Sequence, residues 1–234
     1  MPGPIADEQE RVADSPFVAK VRHLRIHAAS RELALPDGSW DLLFVRRGDG
    51  PAMVIQTGQI TAPVVVEHEA GDELLSIAFR GEVYLPRSPG RVMRGRGVVC
   101  PVEEDGRFRL GEERFEIPRF DNAEQLVAAL ARRGVLERDP VVQRALQGAS
   151  QRLDERSVQR HFAEVAGVGL KAMQQIARAH EAARQLRLGL AASQVAAELG
   201  FTDQAHLTHS LKRLLGQTPR EIASGGDVTR AAMR

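Results

Sequence analysis

The chain has 234 residues, 43% hydrophobic and 27% charged, a composition that fills one large core or two ordinary ones. Its 32 Lys+Arg against 31 Asp+Glu leave a formal charge of +1, which excludes a polyanionic or strongly polycationic chain. The lone Cys100 excludes a disulfide framework and a cysteine-based zinc module.

Residues 1–10 are acidic and lack the basic-then-apolar order of a signal peptide, and residues 1–16 read as a flexible N-terminus. No apolar run approaches the ~18–20 residues that cross a bilayer, so no membrane partner is expected and the default setting is cytoplasmic. From 17 to 120, Gly and Pro interrupt the chain often, as at Pro36-Asp37-Gly38, Gly48-Asp49-Gly50-Pro51, Pro89-Gly90 and Asp105-Gly106. Between them lie short β-branched or aromatic runs, among them Leu42-Leu43-Phe44-Val45, Met53-Val54-Ile55, Val64-Val65-Val66 and Val98-Val99-Cys100. Short strands at near-regular spacing predict an antiparallel sandwich or barrel. Residues 21–26 read equally as a strand, or as a helix that places His23 and His27 on one face.

After residue 120 the texture becomes helical. Leu126, Val127 and Leu130 follow the helix-start residues Asp121 and Asn122, with Gly134 as the stop, and Pro140 opens a second helix to about Gly148. Asp154 precedes a third, in which Val158, Phe162 and Val165 share one stripe. Arg156, Arg160 and Ala163 lie opposite that stripe, with Gln159 at its flank. A long helix over 170–188 ends at Gly189. A short helix over 193–199 follows, then Gly200 as a turn, Phe201 as an anchor and Thr202 as the cap of a last helix to about 215. There Leu207, Leu211 and Leu214 form the stripe, while Ala205, His209 and Lys212 face away, flanked by His206 and Thr208, and Gln204 stands at the N-terminal end. Residues 223–234, with Gly225-Gly226, read as a loose tail.

Helix, glycine turn and capped second helix make a helix-turn-helix, and its exposed arginine and glutamine suit base edges in a major groove. The charge agrees in direction: residues 1–120 carry a net −3 and residues 121–234 a net +4, with His161, His180, His206 and His209 as further titratable donors. The long helix of ~18 residues spans about 27 Å. That length suits two reading helices about one duplex turn, ~34 Å, apart.

The run Ala196-Ala197-Glu198-Leu199-Gly200-Phe201-Thr202-Asp203-Gln204-Ala205-His206-Leu207, then Leu211-Lys212-Arg213 and Gly216-Gln217-Thr218-Pro219, resembles the C-terminal signature of AraC/XylS-type transcription regulators. The upstream Ser157-Val158-Gln159-Arg160-His161-Phe162, with Gly167 beyond, is similar to the first helix-turn-helix of that family. The resemblance implies double-stranded DNA as partner, with Arg156, Gln159 and Arg160 contacting it from the first helix. It implies Gln204, Ala205, His206, Thr208 and His209 for the second, and Lys212 joins them from its outward position. Leu211 stands where the family usually has phenylalanine. His209 stands where it often has arginine, which makes a fixed charge proton-dependent. Gly167-Val168-Gly169-Leu170 lacks the proline that commonly follows the glycine of the first motif. RNA polymerase, a small-molecule effector and a second copy of the chain are the further partners the family implies.

The expected fold class is α+β: a β-rich, cupin-like or jelly-roll-like N-terminal domain followed by an all-α double helix-turn-helix domain. The expected boundaries are 17–120 for sensing or dimerisation and 121–222 for DNA binding. A cupin metal site needs His-x-His with a glutamate, whereas Glu67-His68-Glu69 supplies one imidazole, so neither metal nor cofactor is expected. No Ser/His/Asp order, phosphate loop or dinucleotide fingerprint is present, and no catalytic residue is expected. Cys100 reads as a core thiol, and the Arg91, Arg94 and Arg96 cluster reads as a charged loop in preference to an anionic effector site. Trp40 either lines a pocket or seals the end of the β-domain. The rival readings are a cupin-like small-molecule-binding protein or enzyme with a helical interaction module, and a co-regulator that docks on another protein.

Overall fold

The computed structural model describes residues 4–148, 154–225 and 230–232. In chain order the first strands are β1 (Ala6–Arg11), β2 (Val18–Ile26), β3 (Ser30–Ala34), β4 (Trp40–Arg47) and β5 (Ala52–Thr57). They are followed by β6 (Val64–His68), β7 (Asp72–Phe79), β8 (Val83–Tyr84), α1 (Gly90–Met93) and β9 (Gly97–Cys100). Next come β10 (Arg107–Leu110), β11 (Glu113–Glu116), α2 (Ala123–Arg132), β12 (Glu137–Arg138), α3 (Pro140–Leu146) and α4 (Glu155–Val165). The chain continues through α5 (Leu170–Arg187), α6 (Ala192–Glu198), α7 (Gln204–Leu215), α8 (Pro219–Ala223) and β13 (Arg230–Ala232). A β-rich region thus precedes a helical one, as expected.

These elements fall into two compact units, 1–29 with 39–59 and 68–170, and 30–38 with 60–67 and 171–234. The first is built on an antiparallel sheet ordered β1-β2-β7-β4-β5-β9. Alternation along β4 sends Trp40, Leu42 and Phe44 to one face, where the register sets them opposite Phe79, Ile77 and Leu75 of β7. Trp40 stacks on Phe79 at 4.3 Å and donates its indole N–H to the Val83 carbonyl at 2.7 Å. Over this face lie Phe108, Leu110 and Phe115 of the β10–β11 hairpin, with Leu126, Val127 and Leu130 of α2. Each of those α2 side chains contributes about 1.5–3 kcal/mol by leaving water. Residues 21–26 are strand, so His23 and His27 share no helix face: His23 pairs with Glu73 and His27 with Asp7, both at 2.9 Å.

The second unit holds a three-stranded sheet, β13-β3-β6, and the helices α5 to α8 around Ile176, Ala179, Ala183, Leu186, Val195, Leu207, Leu211 and Leu214. Leu35 packs against this cluster, and His180 Nε2 lies 2.7 Å from the Pro36 carbonyl oxygen. The compact units therefore do not follow the expected division at 120/121. The α2 stripe belongs to the core of the β-sheet, because a change from strand to helix is a change of element and not of packing partner.

Two further expectations are corrected. The supposedly flexible 1–16 contains β1, paired residue for residue with β2 from Ala6↔Ile26 to Arg11↔Val21. Its polar sequence hides this because an edge strand is held by ladder bonds and cross-strand ion pairs, here Glu8–Arg22 at 2.5 Å and Glu10–Lys20 at 3.4 Å. In the supposedly loose tail, Arg230–Ala232 pairs with β3, while residues 226–229 and 233–234 lie outside the described residues.

The Arg11 guanidinium fastens β1 to α2: it bonds the Glu124 carboxylate, donates to the Phe120 carbonyl at 2.7 Å and covers the Phe120 ring at 5.1 Å. That hydrogen bond holds the Glu124 carboxyl below its ordinary value. A depressed carboxyl stabilises the fold above its unfolded pKa, and this contribution fades as pH falls below about 4. Arg11→Ala is expected to cost about 1–2 kcal/mol at neutral pH, discounted for partial exposure. Urea unfolding at pH 7 and pH 3 checks this: the gap between variant and wild type narrows at the lower pH.

Candidate nucleic-acid interface

The first motif is built on α3 and α4. Asp139 caps α3, its Oδ1 accepting from the Val141 and Val142 amides at 2.8 Å, with Pro140 in the first turn where no amide donor is missed. Asp139 Oδ2 also lies 3.0 Å from His161 Nδ1 on α4, so one carboxylate joins the two helices. Residues 149–153 between them lie outside the described residues. Asp154 caps α4 by accepting from the Ser157 amide at 2.9 Å. Val158, Phe162 and Val165 are buried as the periodicity predicts, and Arg156, Gln159, Arg160 and Ala163 are exposed opposite them. Arg156 and Arg160, one turn apart on that face, make no ion pair among the described residues. Gln159 reaches Glu155 at 3.4 Å.

The second motif is α6, a turn and α7. Gly200 sits at φ +69°, a left-handed conformation that favours glycine and lets the chain reverse in a short turn. Arg178 of α5 secures it, donating to the Gly200 carbonyl at 3.2 Å and lying 4.4 Å from the Phe201 ring centroid. The cap is Asp203 and not Thr202: the Asp203 carboxylate accepts from the His206 amide at 2.7 Å. A carboxylate is the better acceptor at a helix N-terminus because the helix dipole adds to the hydrogen bond. The Thr202 amide instead donates to His206 Nδ1 at 3.2 Å.

Along α7, Leu207, Leu211 and Leu214 are buried, and Gln204, Ala205, His206, His209 and Lys212 are exposed. Thr208 is half-buried and donates its hydroxyl to the Gln204 carbonyl at 2.8 Å. The His206 ring packs at the turn, its Nδ1 3.3 Å from the Thr202 hydroxyl and its centroid 5.4 Å from that of Phe201, with the two rings nearly perpendicular. The Glu221 carboxyl is lowered chiefly by the Thr218 amide and hydroxyl in a capping box, with Lys212 a lesser contributor. Of the four histidines counted as donors, His161 and His180 are engaged within their own units. Arg184 pairs with Glu181 at 2.6 Å, and Arg213 donates to Gln175 at 3.2 Å. Sequence reasoning missed Asp139 and Asp203 as organising carboxylates, although Asp-Pro ahead of an apolar run is a start signal.

The three expected contact residues of α4 lie in the first compact unit and the six of α7 in the second. No group of three or more His, Cys, Asp or Glu among the described residues is placed to hold a metal ion, and no helix there is long and apolar enough to cross a membrane. Cys100 is buried, and burial pushes its thiol pKa up, which disfavours the thiolate.

Residues 150–224 match the model of a family described as a helix-turn-helix domain. No curated protein matches the chain. Among solved structures it is similar to ToxT from Vibrio cholerae, with a TM-score of 0.38 and 8% identity over 93% of this chain and 98% of that one.

The cap assignment has a direct test. Asp203→Ala is expected to cost about 1 kcal/mol of stability, and Thr202→Ala only a few tenths. Thermal unfolding of the two variants side by side distinguishes them, and a larger loss for Thr202→Ala would return the cap to residue 202.

Proposed function

With residues 150–224 a helix-turn-helix domain of the AraC type, we propose that the chain is a transcription regulator that reads two adjacent major grooves of double-stranded DNA. The observation that carries this reading is α7, a capped helix behind a glycine turn. It buries a leucine stripe and presents Gln204, Ala205, His209 and Lys212 to solvent. Its mechanism is docking on phosphates followed by base readout. Arg156 and Arg160 supply charge and bidentate donors from α4, and Gln159 an amide edge. Gln204 and Ala205 meet bases from the N-terminal end of α7, where such a helix enters the groove. His206 is held against the turn and so orients this end, Thr208 lies beside it, and Lys212 serves as a phosphate contact. The 18 residues of α5 give a helix about 27 Å long, a length of the same order as the ~34 Å of one duplex turn.

Responsiveness to a small molecule is supported by a cleft of about 450 Å³ within the first unit. Phe44, Leu75, Ile117 and Phe120 give it apolar walls, and His23 and Glu73 a hydrogen-bonded polar end. That size and mixture suit an amphipathic ligand.

Arg160→Ala is expected to weaken binding to a duplex selected from a random pool by about 1–3 kcal/mol, with binding to unselected DNA nearly unchanged. Titrations of both duplexes check this, and equal losses on the two would reduce Arg160 to a phosphate contact. Lys212→Ala is expected to lower affinity for both duplexes alike and flatten the salt dependence by about one unit of slope. If the full chain shows no salt-dependent duplex binding, the reading fails.

A further inference from the structure

We infer that α1 is the seat of the first reading helix: it is pinched between the end of β5 and the C-terminal turn of α4, and it sets how Arg156, Gln159 and Arg160 are presented. This rests on the DNA-reading role proposed above, and all the groups involved belong to one compact unit.

Below α1, the segment leaving β5 lies directly on its backbone. A Cβ at Gly58 would overlap the Met93 carbonyl and come within 3.0 Å of the Arg94 nitrogen. Both sides of this turn are tied to the same segment. The Gly58 amide donates to the Arg96 carbonyl at 2.8 Å, and the Gly95 amide to the Gln59 carbonyl at 3.1 Å. Met93 is buried beneath the turn.

Above α1 the contact is again backbone on backbone. A Cβ at Gly90 would overlap the Val165 carbonyl and lie 2.5 Å from the Ala166 carbonyl carbon and the Gly167 nitrogen. Gly90 does not have a positive φ, so the close approach alone requires glycine there. Beside it, Arg91 Nε lies 2.8 Å from a carboxylate oxygen of Glu164, in the last turn of α4.

Side-chain contacts yield by changing rotamer, whereas stacked backbones cannot, so these contacts leave little slack between strand and helix. The strand beneath α1 starts at Ala52 in the wall of the cleft and ends next to Gly58. Movement of β5 is therefore passed to the end of α4, and Gly90, Arg91 and Glu164 are positioning residues for the contacts that α4 makes.

The test uses the full-length chain and a duplex enriched from a random pool, together with the same duplex carrying one half-site scrambled. The half-site read by α4 is the one whose scrambling abolishes the effect of Arg160→Ala. Gly90→Ala is expected to weaken binding to the intact duplex about tenfold, since overpacking forces the helix end to move. It should change nothing on the duplex whose α4 half-site is scrambled. Arg91→Glu, an exposed substitution that keeps the test open should Gly90→Ala fail to fold, is expected to lose up to about fivefold on the intact duplex alone. Combining it with Glu164→Arg is expected to restore the loss. Unchanged affinity in the single variants, equal losses on both duplexes, or no recovery in the reversed pair would overturn the proposal while leaving DNA reading intact. A pool that yields no enriched duplex overturns the DNA reading first, and this proposal with it.

Discussion

A helix of eleven or twelve residues is marginal in water by itself, because nucleation costs more than so few turns return. Both α4, with 11 residues, and α7, with 12, are of this kind. What buries the apolar stripe of each therefore decides both whether it exists and where its polar face points. For α7 the anchor is the leucine and alanine cluster of the second unit, with Arg178 bracing the turn that leads into it. For α4 the anchors are α3, through His161 and Asp139, and α1, through Gly90 and Arg91. Two similar sequence patterns are thus supported by different surroundings. The first motif is tied to the body that holds the sheet and its cleft, and the second to its own helical core.

Charge follows the same division between support and display. The positive balance after residue 120 overstates what faces solvent unpaired. Arg178 covers an aromatic ring, Arg184 holds Glu181, and Arg213 reaches Gln175. Arg156 and Arg160 have no such partner among the described residues. Net charge counts both groups equally, while a phosphate is drawn to the uncommitted ones, whose guanidinium groups exchange water for anion without first breaking an ion pair.

Legibility in the sequence followed the range of the interaction. The stripes Val158/Phe162/Val165 and Leu207/Leu211/Leu214 were readable because burial along one helix repeats at a local period. The strands containing Leu42, Phe44, Val54 and Ile77 were readable for the same reason, whereas the equally local caps made by Asp139 and Asp203 were missed, and the second bond of Asp139, to His161, spans 22 positions. Thr202 was mistaken for Asp203 because both residue types cap well and stand side by side. The strand β1 was not readable, since its partners lie in β2 and its side chains are polar on both faces. Nor was the destination of α2: an amphipathic helix states that it has a buried face but not what covers it. The backbone contact between Gly90 and Gly167 gave no local signal at all, as two glycines 77 positions apart leave no pattern.

The helical unit draws 30–38 and 60–67 from the middle of the N-terminal half. A fragment cut at residue 121 would leave behind Leu33 and Pro63, which approach Gly216, and the Pro36 carbonyl that engages His180. It would also carry α2 away from the sheet core it completes. The two halves are therefore not interchangeable cassettes. A chimera that grafts this helical unit onto a foreign N-terminal domain would need those two inner segments transplanted with it, because a single linear splice strips each half of part of its own interior.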